Sequence, residues 1–378
     1  MDNKEQVIIV GCEHSNTLGL IRSFGEAGIK PNLVIESNPA ESYCSRSKYV
    51  GKIFYFENYD DLDKILLKEF PDGGVIVTMS DLTAEHIDRA YEKLSSKFII
   101  PNFGGKGGLF KTSISKETQR KMAEKCGIRT PESWVVTWDK DNKTIPEDVI
   151  YPCIIKAIDS VDGPKDTNVF NNSDELASGL STLADKSVGK TFQIQHFLKK
   201  EKEVLIMGYA NGPSDICLAG VLEKGLEYPD GFGWYLFGKI GPDIESYISP
   251  EKLKTLIGAF EYCGLFGIDL LIVNGNPYMC EINFRNDLNG YYPTVGGVNL
   301  PYLWYQSVLG HGTDNSNLRV RREYSIFREA ISWVWAREQK QKMKFVRKFF
   351  QSDICESWNR KDPRPFCFIL KQFIAHHI

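Results

Sequence analysis

Through its first hundred residues the chain alternates short apolar runs with amphipathic stretches: VIIVG, Thr17 to Ala27, PNLVIE, Asp60 to Phe70, GGVIVTMS, Leu82 to Leu94, and FIIPN. Strand-length runs separated by helix-length stretches predict βαβ units and hence a parallel sheet. Ligands of such sheets gather beyond the carboxyl ends of the strands. Gly11, Ser37 and the pair Ser80-Asp81 stand at those ends. The stretch from Gly11 to Gly19 contains no GxGxxG, so the close backbone approach that a dinucleotide pyrophosphate needs is not encoded. GGKGGLFKTS, Gly104 to Ser113, lacks the GxxxxGK[ST] order and reads as a connection between domains.

From Ser115 to Cys126 the pattern is helical, with Gly127 where a C-terminal cap belongs and IRTP leading into a strand, SWVVT. Mixed strands and helices continue to about Gly310. Beyond it the character changes: Arg319 to Phe350 carries ten Lys and Arg residues against Glu323, Glu329 and Glu338. Its cations alternate with Phe327, Ile331, Trp333, Trp335, Phe345 and Phe349. Two readings stay open for this segment: packing of its aromatics on the body, or contact with an anionic membrane surface or polysaccharide.

With 42% hydrophobic and 25% charged residues the chain has the composition of a folded globular protein. A net charge of -3 gives no whole-molecule attraction to nucleic acid. The apolar run Val7 to Val10 is too short for an export signal, and no run of about 18 apolar residues occurs. Nine cysteines without a CxxC pair suit reduced thiols. The expectation is a cytoplasmic protein.

The stretch richest in chemistry is GIDLLIVNGNPYMCEINFRND, Gly267 to Asp287. Ile268 to Val273 and Pro277 to Ile282 read as two strands joined by Asn274-Gly275-Asn276, a hairpin signal. Pairing them brings Asp269 beside Glu281 and Asn283, the last two on one face because strand period is two. Two carboxylates and an amide oxygen suit Mg²⁺, which keeps water and phosphate oxygens as its other ligands. Solvated acids on a surface hairpin are the competing reading.

This segment resembles the metal-binding hairpin of ATP-grasp enzymes, where an acid on one strand and an E-x-N on the next hold the magnesium ions that bridge ATP phosphates. The resemblance implies Asp269, Glu281 and Asn283 as metal ligands, for Mg²⁺ or, as the alternative, Mn²⁺. It implies Arg285 beside the acyl-phosphate intermediate. Upstream, Lys116 at the head of its helix resembles the family's first nucleotide lysine, although Ser115 stands where the pattern has aspartate. Lys156 in YPCIIKAIDS resembles the second, on a strand reaching the phosphates, and Ser160 lies in the place of the loop that closes over them. FQIQHFLKKEKEVLI resembles the hinge that holds adenine, with Gln195 in place of a glutamate, backbone contacts at Phe197 and Leu198, and Glu203 matching the acid that binds ribose.

The resemblance spans roughly residues 7 to 310 and implies an α/β fold in three parts: a parallel-sheet domain, 1–108; a two-lobed ATP-grasp domain, 109–312, with its smaller lobe at about 125–200; and a basic, aromatic extension, 313–378. The ending of the motif, EINFRNDLNGYYPTVGGVNLPYLWY, looks most like the D-aspartate-ligase-like and carbamoyl-phosphate-synthase-like branches. The implied activity is ATP-dependent ligation of a carboxylate to an amine, with ATP as cofactor, small-molecule substrates, no nucleic acid, and a second copy of the chain as the candidate protein partner. A carboxylase or carbamoyl-phosphate-type enzyme and a non-catalytic nucleotide-binding module are the alternatives. The aromatic stretch Tyr228 to Tyr235 reads either as a lid or as a packed hairpin.

Overall fold

The computed structural model describes residues 5–158, 168–186, 190–228, 234–312 and 318–377. Val7–Cys12 (β1) and Gly74–Thr78 (β4) are apolar along their length because helices cover both faces: all of β4 and all of β1 but Cys12 are buried. With Asn32–Glu36 (β2), Ile53–Phe56 (β3) and Phe98–Ile99 (β5) they form a parallel sheet in the order β3-β2-β1-β4-β5. Alternate residues serve the two faces. Val7, Ile9, Leu33 and Ile35 pack on Ser15–Glu26 (α1) through Leu18, Ile21 and Phe24. Ile8, Val10, Val34 and Ile76 pack on Leu62–Glu69 (α2), Asp81–Arg89 (α3) and Tyr91–Leu94 (α4). A capping box between Ser80 and Thr83 fixes the start of α3 at the carboxyl end of β4, which sets Asp81 at that edge.

Asn102–Phe103 (β6) leaves the first sheet to pair with a second one, and Phe110–Ser113 (α5) and Lys116–Lys125 (α6) follow. Ser133–Thr137 (β7), Cys153–Ala157 (β8) and Thr191–His196 (β9) make a small antiparallel sheet in the order β7-β9-β8. Ser173–Lys186 (α7) covers it by laying Leu176, Leu180 and Leu183 on Val136, Ile155, Phe192 and Ile194.

Lys202–Asn211 (β10), Ile216–Lys224 (β11), Phe237–Gly241 (β12), Tyr262–Val273 (β13), Asn276–Asn283 (β14), Tyr324–Phe327 (β15) and Ile354–Cys355 (β16) build the large sheet, in the order β14-β13-β10-β11-β12-β15-β16. One face holds Pro250–Ala259 (α8) against Val204, Ile206, Leu218 and Ile268. The other turns Leu205, Met207, Tyr209 and Leu265 toward Trp304 of Leu300–Val308 (α10) and on to α1. Tyr291–Val295 (α9) also lies against α1. The first sheet's α1 face and the large sheet therefore share one core.

The segment read from composition as an extension contributes β15 to the large sheet, antiparallel to β12, and β16 beside it. Glu329–Glu338 (α11), Lys342–Gln351 (α12) and Arg364–His377 (α13) flank these strands. Asp362 is tied to the first domain: Arg22 Nε of α1 reaches its carboxylate at 3.2 Å with both side chains fully buried, and Ser47 Oγ donates to it at 2.8 Å. Among the described residues no helix is long and apolar enough to cross a membrane.

Candidate active site

The Asn274-Gly275 turn closes β13 on β14 with both residues at positive φ, 49° and 71°, the backbone a tight right-twisting hairpin requires. Asp269 lies directly opposite Glu281 and Gly267 opposite Asn283, as the sequence pattern expects. A register shift follows Asp269, so that Cys280 is the extra residue of a bulge. Asn283 Nδ2 donates to Asp269 Oδ2 at 3.1 Å, and its Oδ1 accepts from Arg285 Nη2 at 3.1 Å.

Helix α6 brings Lys116 to this hairpin. The mechanism is a single buried amide: Gln119 Nε2 donates to the Ile282 carbonyl at 2.7 Å while its Oε1 accepts the Ile282 N–H at 2.8 Å. One turn away, Lys116 Nζ lies 3.7 Å from Glu281. Lys156 arrives from the small sheet and donates to Gln195 Oε1 at 2.7 Å across the β8–β9 pair. Burial makes its ammonium easier to lose than usual, and the neighbouring Lys116 adds to that, while Glu281 and Glu203 pull the other way. Lys116, Gln193, Gln195, Met279 and Cys280 line a small pocket between α6, the small sheet and β14.

Glu203 is on the same floor. It accepts from Lys200 at 2.6 Å and pairs with Lys224, which stands opposite it on β11 and also donates to Asp269 at 3.2 Å. Burial pushes the Asp269 carboxyl up to about 7 against the pull of Lys224, and Glu281 and Asp287 raise it further. The Phe197 N–H donates to the Pro152 carbonyl at 2.8 Å and so is already committed within the protein. Ser160 and residues 229–233 of the Tyr228–Tyr235 stretch lie outside the described residues.

Arg285 reaches beyond the hairpin. Its Nε donates to Asp81 Oδ1 at 2.9 Å, joining α3 of the first domain to β14. Beyond it runs a polar chain: Asp287 accepts from Asn289 at 2.8 Å, and Asn289 accepts from Tyr235 Oη at 2.6 Å. The Tyr235 ring lies 5.2 Å beneath the Arg328 guanidinium, and Arg328 binds Glu356 at 2.7 Å. Glu356 also takes Ser15 Oγ at 3.1 Å, and Glu329 holds it in place through the N–H groups of residues 356–358. His14 faces this cluster. Burial holds its ring below the usual histidine range, Arg328 and Arg285 add to that against Glu356, and its Nδ1 accepts the Asn16 N–H that starts α1.

Sequence reading missed Asp81 as a partner of Arg285, Lys224 as the bridge between Glu203 and Asp269, and the Arg328–Glu356 pair. Asp81 and Lys224 carried a signal, one at a strand's carboxyl end and the other a lysine ending a strand. The third did not, since the basic, aromatic composition of residues 319–350 does not single out Arg328, and Glu356 lies beyond that stretch.

A hard divalent cation fits these donors. Among the described residues no group of three or more His, Cys, Asp and Glu closes on one point. Two facing carboxylates and an amide offer only part of an oxygen shell, which suits Mg²⁺ sharing phosphate oxygens and water.

No family model matches the chain. It is 24% identical over 185 residues to the carbamoyl phosphate synthase large chain of Sulfurisphaera tokodaii, covering 48% of this chain and 17% of that one. Among solved structures it matches an L-amino acid ligase from Bacillus licheniformis with a TM-score of 0.62 and 15% identity, covering 85% of this chain and 79% of that one. It also matches the biotin carboxylase domain of the Hydrogenobacter thermophilus 2-oxoglutarate carboxylase, solved with MgADP and bicarbonate, with a TM-score of 0.68 and 14% identity over 85% and 73% of the two chains. These are ATP-grasp proteins. The chain has the ATP-grasp fold. Lys116 of α6, Gln193 and Gln195 of the small sheet and Cys280 of β14 line one pocket where the small sheet meets the large one.

Proposed function

We propose that the chain is a cytoplasmic ATP-dependent carboxylate–amine ligase that works through an acyl phosphate on an amino acid or peptide. The observation that carries this reading is the convergence on Glu281: Lys116 from α6, Asp269 from the facing strand and Lys156 from the small sheet all sense it. Support also comes from the likeness to an L-amino acid ligase. The carbamoyl phosphate synthase and biotin carboxylase likenesses favour the second reading, a carboxylase or carbamoyl-phosphate-type enzyme.

A carboxylate does not react with an amine at neutral pH because its leaving group would be oxide, so it must first be phosphorylated. The protein's part is positioning and charge. Lys116 and Lys156 hold the nucleotide phosphates in line, and Glu203 takes the ribose hydroxyls in exchange for one of its lysines. Asp269, Glu281 and Asn283 hold Mg²⁺, with Mn²⁺ as the alternative, which when bound neutralises charge on the phosphates. Arg285, fixed by Asp81 and Asn283, steadies the acyl phosphate. His14, whose ring is held below the usual histidine range, faces Arg285 and Arg328, where it is the candidate to take a proton from the attacking amine.

The test is ADP release against pooled amino acids, with mass spectrometry of the products and hydroxylamine as a substitute amine. Formation of a hydroxamate with a turned-over carboxylate supports the acyl phosphate. ADP release that depends on bicarbonate and on no organic carboxylate moves the assignment to the second reading.

A further inference from the structure

The large apolar side chains left exposed are concentrated at one end of the chain. On α12, Met343, Val346 and Phe350 form a stripe at helical spacing, Met343 and Phe350 being 81% and 80% exposed. On α13, Leu370 and Ile374, one turn apart, are exposed likewise, while Phe373 beside them meets Trp333 of α11 with ring centroids 6.3 Å apart. The opposite side of α12 is anchored: Phe345 and Phe349 meet Phe327 of β15 with ring centroids 5.2 and 6.0 Å apart, and Phe349 stacks on Phe366 of α13. The outward stripes therefore belong to helices whose place on the body is already fixed by other residues.

Neither helix contains an Asp or a Glu. Lys342, Arg347 and Lys371 are exposed beside the stripes, and Lys344 and Lys348 lie over the Trp335 and Phe237 rings. An all-cationic rim around exposed apolar side chains is poorly matched to water. It is equally unlike a nucleic-acid surface, because phosphates would meet the lysines but leave the stripe unburied. Headgroup phosphates above acyl chains match both parts at once. We propose that α12 and α13 form a docking face for the surface of an anionic lipid bilayer, into which Met343, Val346 and Phe350 insert while the lysines and arginines engage headgroups. This inference does not rest on the ligase reading.

The test uses the full chain with phosphatidylcholine vesicles, with and without phosphatidylserine, in a co-sedimentation assay across salt concentration. Pelleting with anionic vesicles alone is expected, weakened at least about tenfold by high salt and by Met343→Glu with Phe350→Glu. Both positions are exposed, so the double variant keeps the wild-type melting temperature. A polarity-sensitive dye on Cys367, which is exposed on α13, gives an independent readout through a blue shift on vesicle addition. No pelleting at low salt, or equal pelleting of the double variant, overturns the proposal. So does a concentration-dependent dimer abolished by the double variant, which would give this face to a second copy of the chain.

Discussion

Arg285 and Asp81 are 204 residues apart in sequence and 2.9 Å apart in space. The same guanidinium reaches Asn283 at 3.1 Å, so one side chain links the first domain to the β13–β14 hairpin. Burial works against its charge, but the carboxylates of Asp81 and Asp287 outweigh that and raise its already high pKa, so it stays charged throughout the working pH range. Because Asp81 only orients Arg285, Asp81→Ala should lower the rate of ADP release about tenfold with little change in the KM for ATP, while Arg285→Lys, which loses the planar fork, should cost about a hundredfold. Equal rates in wild type and Arg285→Lys would remove Arg285 from the reaction.

Glu281→Ala tests the centre of the site. Its carboxylate lies on the hairpin floor rather than in a hydrophobic core, so the melting temperature should stay within a degree or two while Mg-dependent ATP turnover drops at least about a hundredfold, on the order of 3 kcal/mol. Wild-type turnover in this variant would sink the hairpin assignment.

The elements that could be read from sequence were those whose signal is local. The parallel sheet followed from βαβ spacing, and the hairpin followed from Asn274-Gly275 and period-two alternation, so the Asp269–Glu281 pairing could be anticipated. The Gln119 amide that locks α6 onto Ile282 spans 163 residues, and no local pattern announces it. The same holds for Arg22 and Asp362, 340 residues apart. The composition of residues 319–350 left open whether the segment packs on the body or meets an anionic surface, and the pairing of β15 with β12 and the burial of Asp362 could not be read from it, because charge counts report which residues are solvated and not which backbone pairs.

Asp362→Ala follows from that point. It would leave Arg22 charged and fully buried without its partner, a loss typically worth about 3–5 kcal/mol. Chemical denaturation should show a lowered midpoint of that order, and removal of residues 319–378 should yield no soluble, cooperatively melting protein. A truncated chain that melts at the wild-type temperature would show that the segment is dispensable for folding.

Lys224 can be tested through metal dependence. It neutralises both Glu203 and Asp269, so Lys224→Met should leave mutually repelling carboxylates and lower the metal-free melting temperature by roughly 5 °C. Mg²⁺ should then stabilise the variant more than wild type, since it supplies the missing positive charge. The sign with pH follows from Asp269, whose carboxyl is raised to about 7 in the folded state: below that value it carries a proton and competes with metal, so Mg²⁺ stabilisation should fade from pH 8 to pH 6. Magnesium stabilisation that is unchanged between those pH values, or no larger in the variant, would count against a cation at this site.

Cys280 offers a reporter at the bottom of the pocket. As the bulge residue beside Glu281 it is pushed up to about 12, chiefly by burial, with Lys156 opposing and Asp269 and Glu281 reinforcing the shift. The thiolate is the reactive form, and an unperturbed cysteine near 8.5 presents about a thousandfold more of it at neutral pH. Iodoacetamide at pH 7.5, followed by peptide mass spectrometry, should therefore modify exposed Cys367 within minutes and leave Cys280 unmodified over hours. Lys156→Met removes the one cation that lowers the Cys280 value and should slow the reaction further still. Rapid labelling of Cys280 in the wild-type chain, at a rate near that of Cys367, would mean that the bulge opens to solvent and does not hold the Cys280 thiol in its neutral form.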